Sequence, residues 1–183
     1  MHKVAVIVGS IRAESINKQL ARALAKLAEG KLQLETVQID DLPLFNQDNE
    51  ATPPPQIERI KAQIRSADGV LFVTPEHNRS IPAALKNAID WASRPSKESA
   101  FKGKVGAITG TSRGRLSSAI AQSHLRVIAG CQLDAMVTSP EAYINFTDTL
   151  IDVDANITDE TARNVLIRFI DGLIRLIEQR SKA

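Results

Sequence analysis

Cysteine is nearly absent from this chain of 183 residues; Cys131 stands alone. That excludes an intrachain disulfide and a thiol-pair redox motif, and it fits a reducing cytosol. Neither charge sign dominates. Lys and Arg number 23 against 21 Asp and Glu, a net charge of +2. There is thus no electrostatic case for a dedicated nucleic-acid binder. The pI of 8.8 reflects a near balance of many charges rather than a basic tract. No apolar run approaches the roughly 18 residues of a membrane span. Met1-His2-Lys3-Val4 leads straight into a strand-like segment, without the pattern of a signal peptide. No repeat, linker or low-complexity tract divides the chain. These absences predict a soluble cytoplasmic protein, with no membrane or nucleic-acid partner and one domain over residues 1–183.

What is present is a βα alternation. Val4-Ala5-Val6-Ile7-Val8 is a continuous apolar run of the kind buried on both faces in parallel sheets. It stops at Gly9-Ser10. Ser15 then reads as an N-cap, and Ile16, Leu20, Ala23, Leu24 and Leu27 mark one helical face ending near Gly30. Leu32 to Ile39 alternates imperfectly and reads as an edge strand. Residues 40–56, with Pro43 and Pro53-Pro54-Pro55, read as a long loop. Ile57, Ile60 and Ile64 give a short helix. Val70 to Val73 is a third strand, followed by Thr74-Pro75-Glu76-His77-Asn78-Arg79-Ser80-Ile81-Pro82. Ser80 is the expected cap of the next helix, whose inner face is Leu85, Ala88, Ile89 and Ala92. Lys104 to Thr109 is a fourth strand, Gly110 to Gly114 a polar loop, and 116–129 a helix. Leu133 to Val137 is a fifth strand. Thr158 is the expected cap of a last helix striped by Leu166, Phe169, Ile170, Leu173, Ile174 and Ile177. Such a pattern predicts an α/β three-layer sandwich with a five-stranded parallel sheet. The flavodoxin-like order 2-1-3-4-5, one of two main possibilities, sets the loops after strands one and three side by side.

The first loop has no second or third glycine at Rossmann offsets and no P-loop lysine. Nor does it carry the carboxylate cluster that response regulators need there. It does offer Ser10, Arg12, Ser15 and Asn17 beside the amides of a helix N-terminus, equipment for one phosphate monoester. The same residues also suit a plain strand–helix turn with capping serines. In the third-strand loop, two prolines limit freedom while Glu76, His77 and Asn78 offer polar groups to a flat ring edge. Gly110 to Gly114 offers amides and a hydroxyl from the other side. A phosphate held at one loop and a planar heterocycle between two others describes bound FMN.

Gly9-Ser10-Ile11-Arg12 with Ser15 and Asn17, Pro75-Glu76-His77-Asn78, and Ile81-Pro82 through Leu85-Lys86-Asn87-Ala88-Ile89-Asp90-Trp91 resemble the NAD(P)H-dependent FMN reductases, nearest to the bacterial chromate and quinone reductases. The resemblance spans roughly residues 4–140. It implies a flavodoxin-like fold, bound FMN, NADPH or NADH as electron donor, and assembly as homodimers or homotetramers. It also implies phosphate contacts from Ser10, Arg12, Ser15, Ile16 and Asn17. Pro75, Glu76, His77 and Asn78 would line the isoalloxazine, with Thr111, Ser112 and Arg113 at its other edge. The implied reaction is ping-pong. NAD(P)H gives a hydride to flavin N5, and the reduced flavin passes electrons to a quinone, free flavin, azo or nitro compound, or a metal oxyanion such as chromate. No general acid or base is expected, because the cofactor carries the chemistry. His77 departs from the pattern, since the family usually has tyrosine there.

Several of these residues have plainer readings. Glu76 can tie its loop to backbone amides, and His77 can be a solvated loop residue. Trp91 suits core or subunit interface better than flavin stacking. Lys86 and Asp90 suit an i, i+4 pair. Cys131 reads as a small buried hydrophobe. Arg126 is an interface candidate with Glu141 as partner, because His124-Leu125-Arg126 resembles a subunit-contact segment of the family. The rival function is a flavodoxin-type electron carrier without an NAD(P)H site. Such carriers are typically very acidic, and this chain is not.

Overall fold

Alternation along each strand decides which layer a side chain serves. In a computed structural model, which describes residues 1–182, β1 (His2–Val8) sends Val4, Val6 and Val8 to one face of a sheet and Ala5 and Ile7 to the other. β3 (Gly69–Val73) repeats the division, with Leu71 and Val73 on the first face and Val70 and Phe72 on the second. Between them in the chain lie α1 (Ile16–Leu27), β2 (Leu32–Thr36) and α2 (Pro55–Arg65). After β3 come α3 (Ala83–Ala92), β4 (Val105–Ser112), α4 (Ala119–Gly130), β5 (Ala135–Met136), β6 (Ala142–Asn145) and α5 (Glu160–Ser181). α1 and α5 cover the first face through Leu20, Leu24, Leu166, Phe169, Leu173 and Ile177. α2, α3 and α4 cover the second through Ile57, Ile60, Ile64, Leu85, Trp91 and Leu125. Burial of these stripes, more than intrinsic propensity, holds short helices in place.

The sheet is parallel, in the order β2-β1-β3-β4-β5, as the alternation of elements predicts. Its last position is divided. β5 pairs only with Val105 and Gly106 of β4, and β6 pairs further up with Thr109 to Ser112. The segment after Pro140 thus contains a strand that the sequence pattern did not indicate, and the fifth strand shrinks to two residues.

Other boundaries move as well. β4 runs to Ser112, so Gly110, Thr111 and Ser112 belong to a strand and not to a loop. α4 starts at Ala119 rather than near Leu116. β2 stops at Thr36, although Val37 and Ile39 remain buried. Ser80 does not cap α3; the cap position is Pro82, and Ser80 instead exchanges two backbone hydrogen bonds with His77, both 2.9 Å. Nor does Thr158 cap α5. Its hydroxyl donates to backbone carbonyls of Thr149 and Leu150, and Asp159 accepts from the Ala162 N–H at 2.7 Å instead. A carboxylate there also favours the positive end of the helix dipole. Cys131 is exposed rather than buried, its thiol resting on the Val127 carbonyl at the end of α4. Trp91 is core, 1% exposed.

The long loop before α2 is anchored rather than free. Asn87 accepts from the Phe45 N–H at 2.7 Å and donates to the Pro43 carbonyl at 2.9 Å. Trp91 Nε1 donates to the same carbonyl at 2.8 Å, and Phe45 meets the indole edge-on at 5.0 Å. Arg59 grips Asp41 with two bonds of 2.7 Å.

Candidate functional site

Parallel strands end their hydrogen-bond ladder together, so the loops after β1, β3 and β4 emerge side by side. The Gly9 N–H donates to Val73 O at 2.9 Å, and Thr74 N–H donates to Thr109 O at 2.9 Å. Gly9 is tightly packed. A Cβ there would lie 3.1 Å from Leu85 and 3.3 Å from Pro75, so any side chain at this crossing requires both neighbours to give way by a few tenths of an ångström. Gly110 is tighter still, since a Cβ there would overlap the Thr74 carbonyl oxygen.

In the first loop, Ser10 is half-buried and Arg12 is exposed. Ser15 caps α1, accepting from Lys18 N–H at 3.3 Å. That leaves the N–H groups of Ile16 and Asn17 as the donors that helix geometry points out of the helix start. The Asn17 side chain faces the other way. It is 1% exposed, donating to Thr111 O at 2.9 Å and accepting from Thr111 N–H at 3.0 Å. Thr111 is buried too, and its hydroxyl donates to Ile144 O at 2.6 Å. Both residues were expected to contact a ligand. Instead they bolt α1, β4 and β6 together behind the loops, and only the Asn17 backbone remains available.

In the third loop, His77 to Ser80 close a tight turn with Asn78 at φ 49° and Arg79 at φ 64°. Two central residues at positive φ are the mark of a type I′ turn. An arginine in that region costs on the order of 1 kcal/mol, so neighbours must hold it. Glu76 does so. Its Oε1 accepts from Arg79 at 3.2 Å, while Oε2 accepts from the N–H groups of Ile120 at 3.0 Å and Ala121 at 3.2 Å. Its carboxylate therefore ties the loop to backbone amides, and only its backbone can meet a ligand. Pro75 is half-buried, and the His77 and Asn78 side chains are exposed. Ser80 Oγ lies 3.1 Å from His124 Nδ1 of α4.

Beyond β4, Ser112 Oγ accepts from Gly114 N–H at 3.2 Å. Arg113 leans outward, paired with Asp148 and 5.1 Å over the Phe146 ring. The pairing raises the guanidinium above its ordinary value and holds the Asp148 carboxyl below its own. Ser117 and Ser118 then run at φ 46° and 66° into α4. The expected Lys86–Asp90 pair is present at 2.7 Å, and Arg126 meets Glu141 within the chain itself at 3.4 Å. A cleft of about 200 Å³ adjoins the first loop on the β2 side, lined by Ser10, Ile11, Lys18 and Thr36 to Asp40. Ligand pockets usually span about 300–1,000 Å³; the cleft is too small for a nucleotide and lies away from the third loop. No group of three or more metal-ligating side chains occurs among the described residues.

A family model described as NADPH-dependent FMN reductase matches residues 2–148. The chain belongs to that family. Membership makes it an oxidoreductase that works with FMN and takes electrons from a reduced nicotinamide nucleotide. It is 47% identical over 178 residues to a 2-hydroxy-1,4-benzoquinone reductase of a Burkholderia species, covering 97% of each chain. To a quinone reductase of Pseudomonas putida it is 45% identical over 177 residues, 93% of this chain and 92% of that one. Among solved structures it is similar to FerB, a flavoenzyme NAD(P)H:(acceptor) oxidoreductase from Paracoccus denitrificans, with a TM-score of 0.93 and 41% identity over 98% of this chain and 99% of that one. An NADH:FMN oxidoreductase named EMOB, 17% identical with a TM-score of 0.68, shares the fold.

The loops fit FMN in their donor set. A monoester needs several donors at one point, and the start of α1 supplies the amides of Ile16 and Asn17 with Ser10 and Arg12 alongside. A flat ring needs stiff, closely spaced walls. The Pro75 to Ser80 turn and the Ser112 to Ser118 segment supply these through the bonds just described. Sequence reasoning did not find the Asn17–Thr111 pair or the Asn87–Trp91 anchor of the long loop. No local signal marks either, because the partners lie 94 and 44–48 residues apart in the chain.

Proposed function

We propose that this chain is an NAD(P)H:quinone oxidoreductase, a single FMN-binding domain over residues 1–183 that works by ping-pong transfer in the cytoplasm as a homodimer or homotetramer. The observation that carries the reading is the meeting of three loops at one switch point. A helix N-terminus with free donors adjoins a proline-stiffened turn and the end of β4. The names of the relatives, quinone reductases at 45–47% identity, support a quinone as acceptor. The chemistry that FMN supplies when bound is hydride acceptance from the nicotinamide and electron release to the acceptor.

The chain's own residues bind and orient. The amides of Ile16 and Asn17, with Ser10, Ser15 and Arg12, hold the phosphate. Backbone groups of Pro75 to Asn78 meet one ring edge, and the Ser112 and Arg113 segment meets the other. Donors placed there would favour negative charge on a bound ring without reorganising. His77 stands exposed where a substrate would stack. Free flavins, azo and nitro compounds and chromate are further acceptors that an open flavin face admits.

The test is anaerobic. NADPH or NADH is added to the FMN-loaded protein and the visible flavin band is followed, then benzoquinone is added. Bleaching followed by full recovery is expected, with parallel lines in two-substrate kinetics. A protein that holds FMN yet oxidises neither nucleotide is an electron carrier and not this reductase.

A further inference from the structure

The two segments that flank the proposed ring site share a weakness. The His77–Ser80 turn has two residues at positive φ, Asn78 and Arg79, and the start of α4 has two more, Ser117 and Ser118. Neither pair contains a glycine. Conformations of this kind persist only where their surroundings over-determine them. α4 also lacks its own cap. Ser118 makes no capping bond, and its hydroxyl instead accepts from Gln122 Nε2 at 3.1 Å. The start of a helix leaves N–H groups that need an acceptor. Here it arrives from 44 residues away, where Glu76 Oε2 takes the Ile120 N–H at 3.0 Å, and Ala121 adds a bond of 3.2 Å. The other oxygen of the same carboxylate holds Arg79 at 3.2 Å. The Glu76 side chain is only 10% exposed, so solvent screens its bonds to the two amides little, whereas Arg79, 67% exposed, meets the other oxygen from the solvent side. Ser80 and His124 make a second tie between the same two elements at 3.1 Å.

We infer that Glu76 is a positioning residue for the flavin cleft: its carboxylate locks the Pro75–Pro82 loop to the amino end of α4 and so fixes the spacing of the two walls that receive the ring. The inference rests on the FMN reading above. Two independent strained turns meet at one carboxylate, so losing it releases both walls at once. A residue that only stabilised the fold would lower the melting temperature and leave the affinity for FMN alone.

The experiment compares Glu76→Ala, Glu76→Gln and a control, Phe101→Leu, which trims a fully buried ring just before the start of β4, at the opposite end of the strands from the loops. Amide exchange at Ile120 and Ala121 is measured on the FMN-free protein, and the FMN dissociation constant is measured by fluorescence quenching. In Glu76→Ala, exchange at both amides rises about tenfold and FMN binds about tenfold more weakly, the scale of a lost helix cap. In Glu76→Gln, which keeps a neutral acceptor, both effects shrink to about threefold, since charge-assisted bonds are roughly twice as strong as neutral ones. Glu76→Gln alone decides the matter if the alanine variant does not fold. Phe101→Leu melts lower with unchanged FMN affinity. Unaltered exchange in the Glu76 variants overturns the capping role. Parental FMN affinity in them, or an equal loss in Phe101→Leu, overturns the positioning role. A parent chain that exchanges as expected but binds no FMN overturns the flavin reading beneath it.

Discussion

Replacing Asn17 with alanine separates holding the ligand from holding the fold. The Asn17 carboxamide makes two bonds to the Thr111 backbone, 2.9 and 3.0 Å long and spanning 94 residues of chain. Asn17 is 1% exposed and Thr111 is 0% exposed, so bulk water does not replace a lost partner. A buried backbone group left unpaired costs about 1–3 kcal/mol, which predicts a loss of about 2–6 kcal/mol for the pair. That is a large share of the roughly 5–15 kcal/mol by which folded chains are stable. At about 2–4 °C per kcal/mol for this size, a central loss near 4 kcal/mol lowers the melting temperature by about 8–16 °C. The assay is thermal unfolding of the FMN-free protein by circular dichroism, backed by urea midpoints at constant m-value. Asn17→Asp should fall at least as far, because it keeps the acceptor for Thr111 N–H but sets a carboxylate against Thr111 O. The reasoning fails if Asn17→Ala melts within about 2 °C of the parent while losing FMN affinity. The side chain would then act on the ligand and not on β4.

Gly110→Ala drives a methyl into the Thr74 carbonyl oxygen and places it 2.9 Å from Ser118 Oγ; a loss of about 3 kcal/mol in urea unfolding is expected, the upper range for an added methyl, because the nearest atom is backbone. Asn87→Ala leaves Phe45 N–H without its acceptor and removes one of the two donors on Pro43 O, the other being Trp91. It should cost about 2 kcal/mol, open the chain near Leu44 to protease, and shift the emission of Trp91, the chain's one tryptophan. Asp41 lies below its ordinary value because Arg59 donates to its carboxylate. Its contribution is therefore complete above the unfolded carboxyl value near about 3.9 and disappears as pH falls through the lower folded one. Both side chains are about a third exposed, 35% and 34%, so Asp41→Asn should differ from the parent by less than about 1 kcal/mol at neutral pH. That difference should vanish in strong acid, and a urea midpoint difference that survives there would contradict the pairing.

The parts of this fold that could be read from the sequence are those written in nearest neighbours. Val4 to Val8 and Val70 to Val73 declare strands buried on both faces, and the helices between them declare a parallel sheet. Ser15 caps a helix three residues ahead, within reach of any local pattern. What was hidden depends on distant partners. Thr111 and Ser112 resemble loop residues until Ile144 and Phe146 arrive to pair with them. Asn17 resembles a phosphate ligand until Thr111 takes its amide. Glu76 admits both a ligand role and a backbone tie, and only the position of α4 decides between them. Thr158 loses the cap of α5 to Asp159 by a single residue, because its hydroxyl finds carbonyls on the returning chain.

The divided edge of the sheet also sets an order of events during synthesis. β5 supports only the first two residues of β4, and the upper half waits for β6. Thr111 and Ser112 acquire their final partners only when residues 144–146 are in place, and the strand that Asn17 clasps is unsupported on its outer side until then. A nascent chain that has released the loops after β1 and β3 therefore still lacks one wall of the cleft until about four-fifths of the polypeptide has left the ribosome. Under the proposed reading of the site, cofactor loading is a late event, since a chain stopped before residue 144 lacks the β6 pairing that supports one of the two walls.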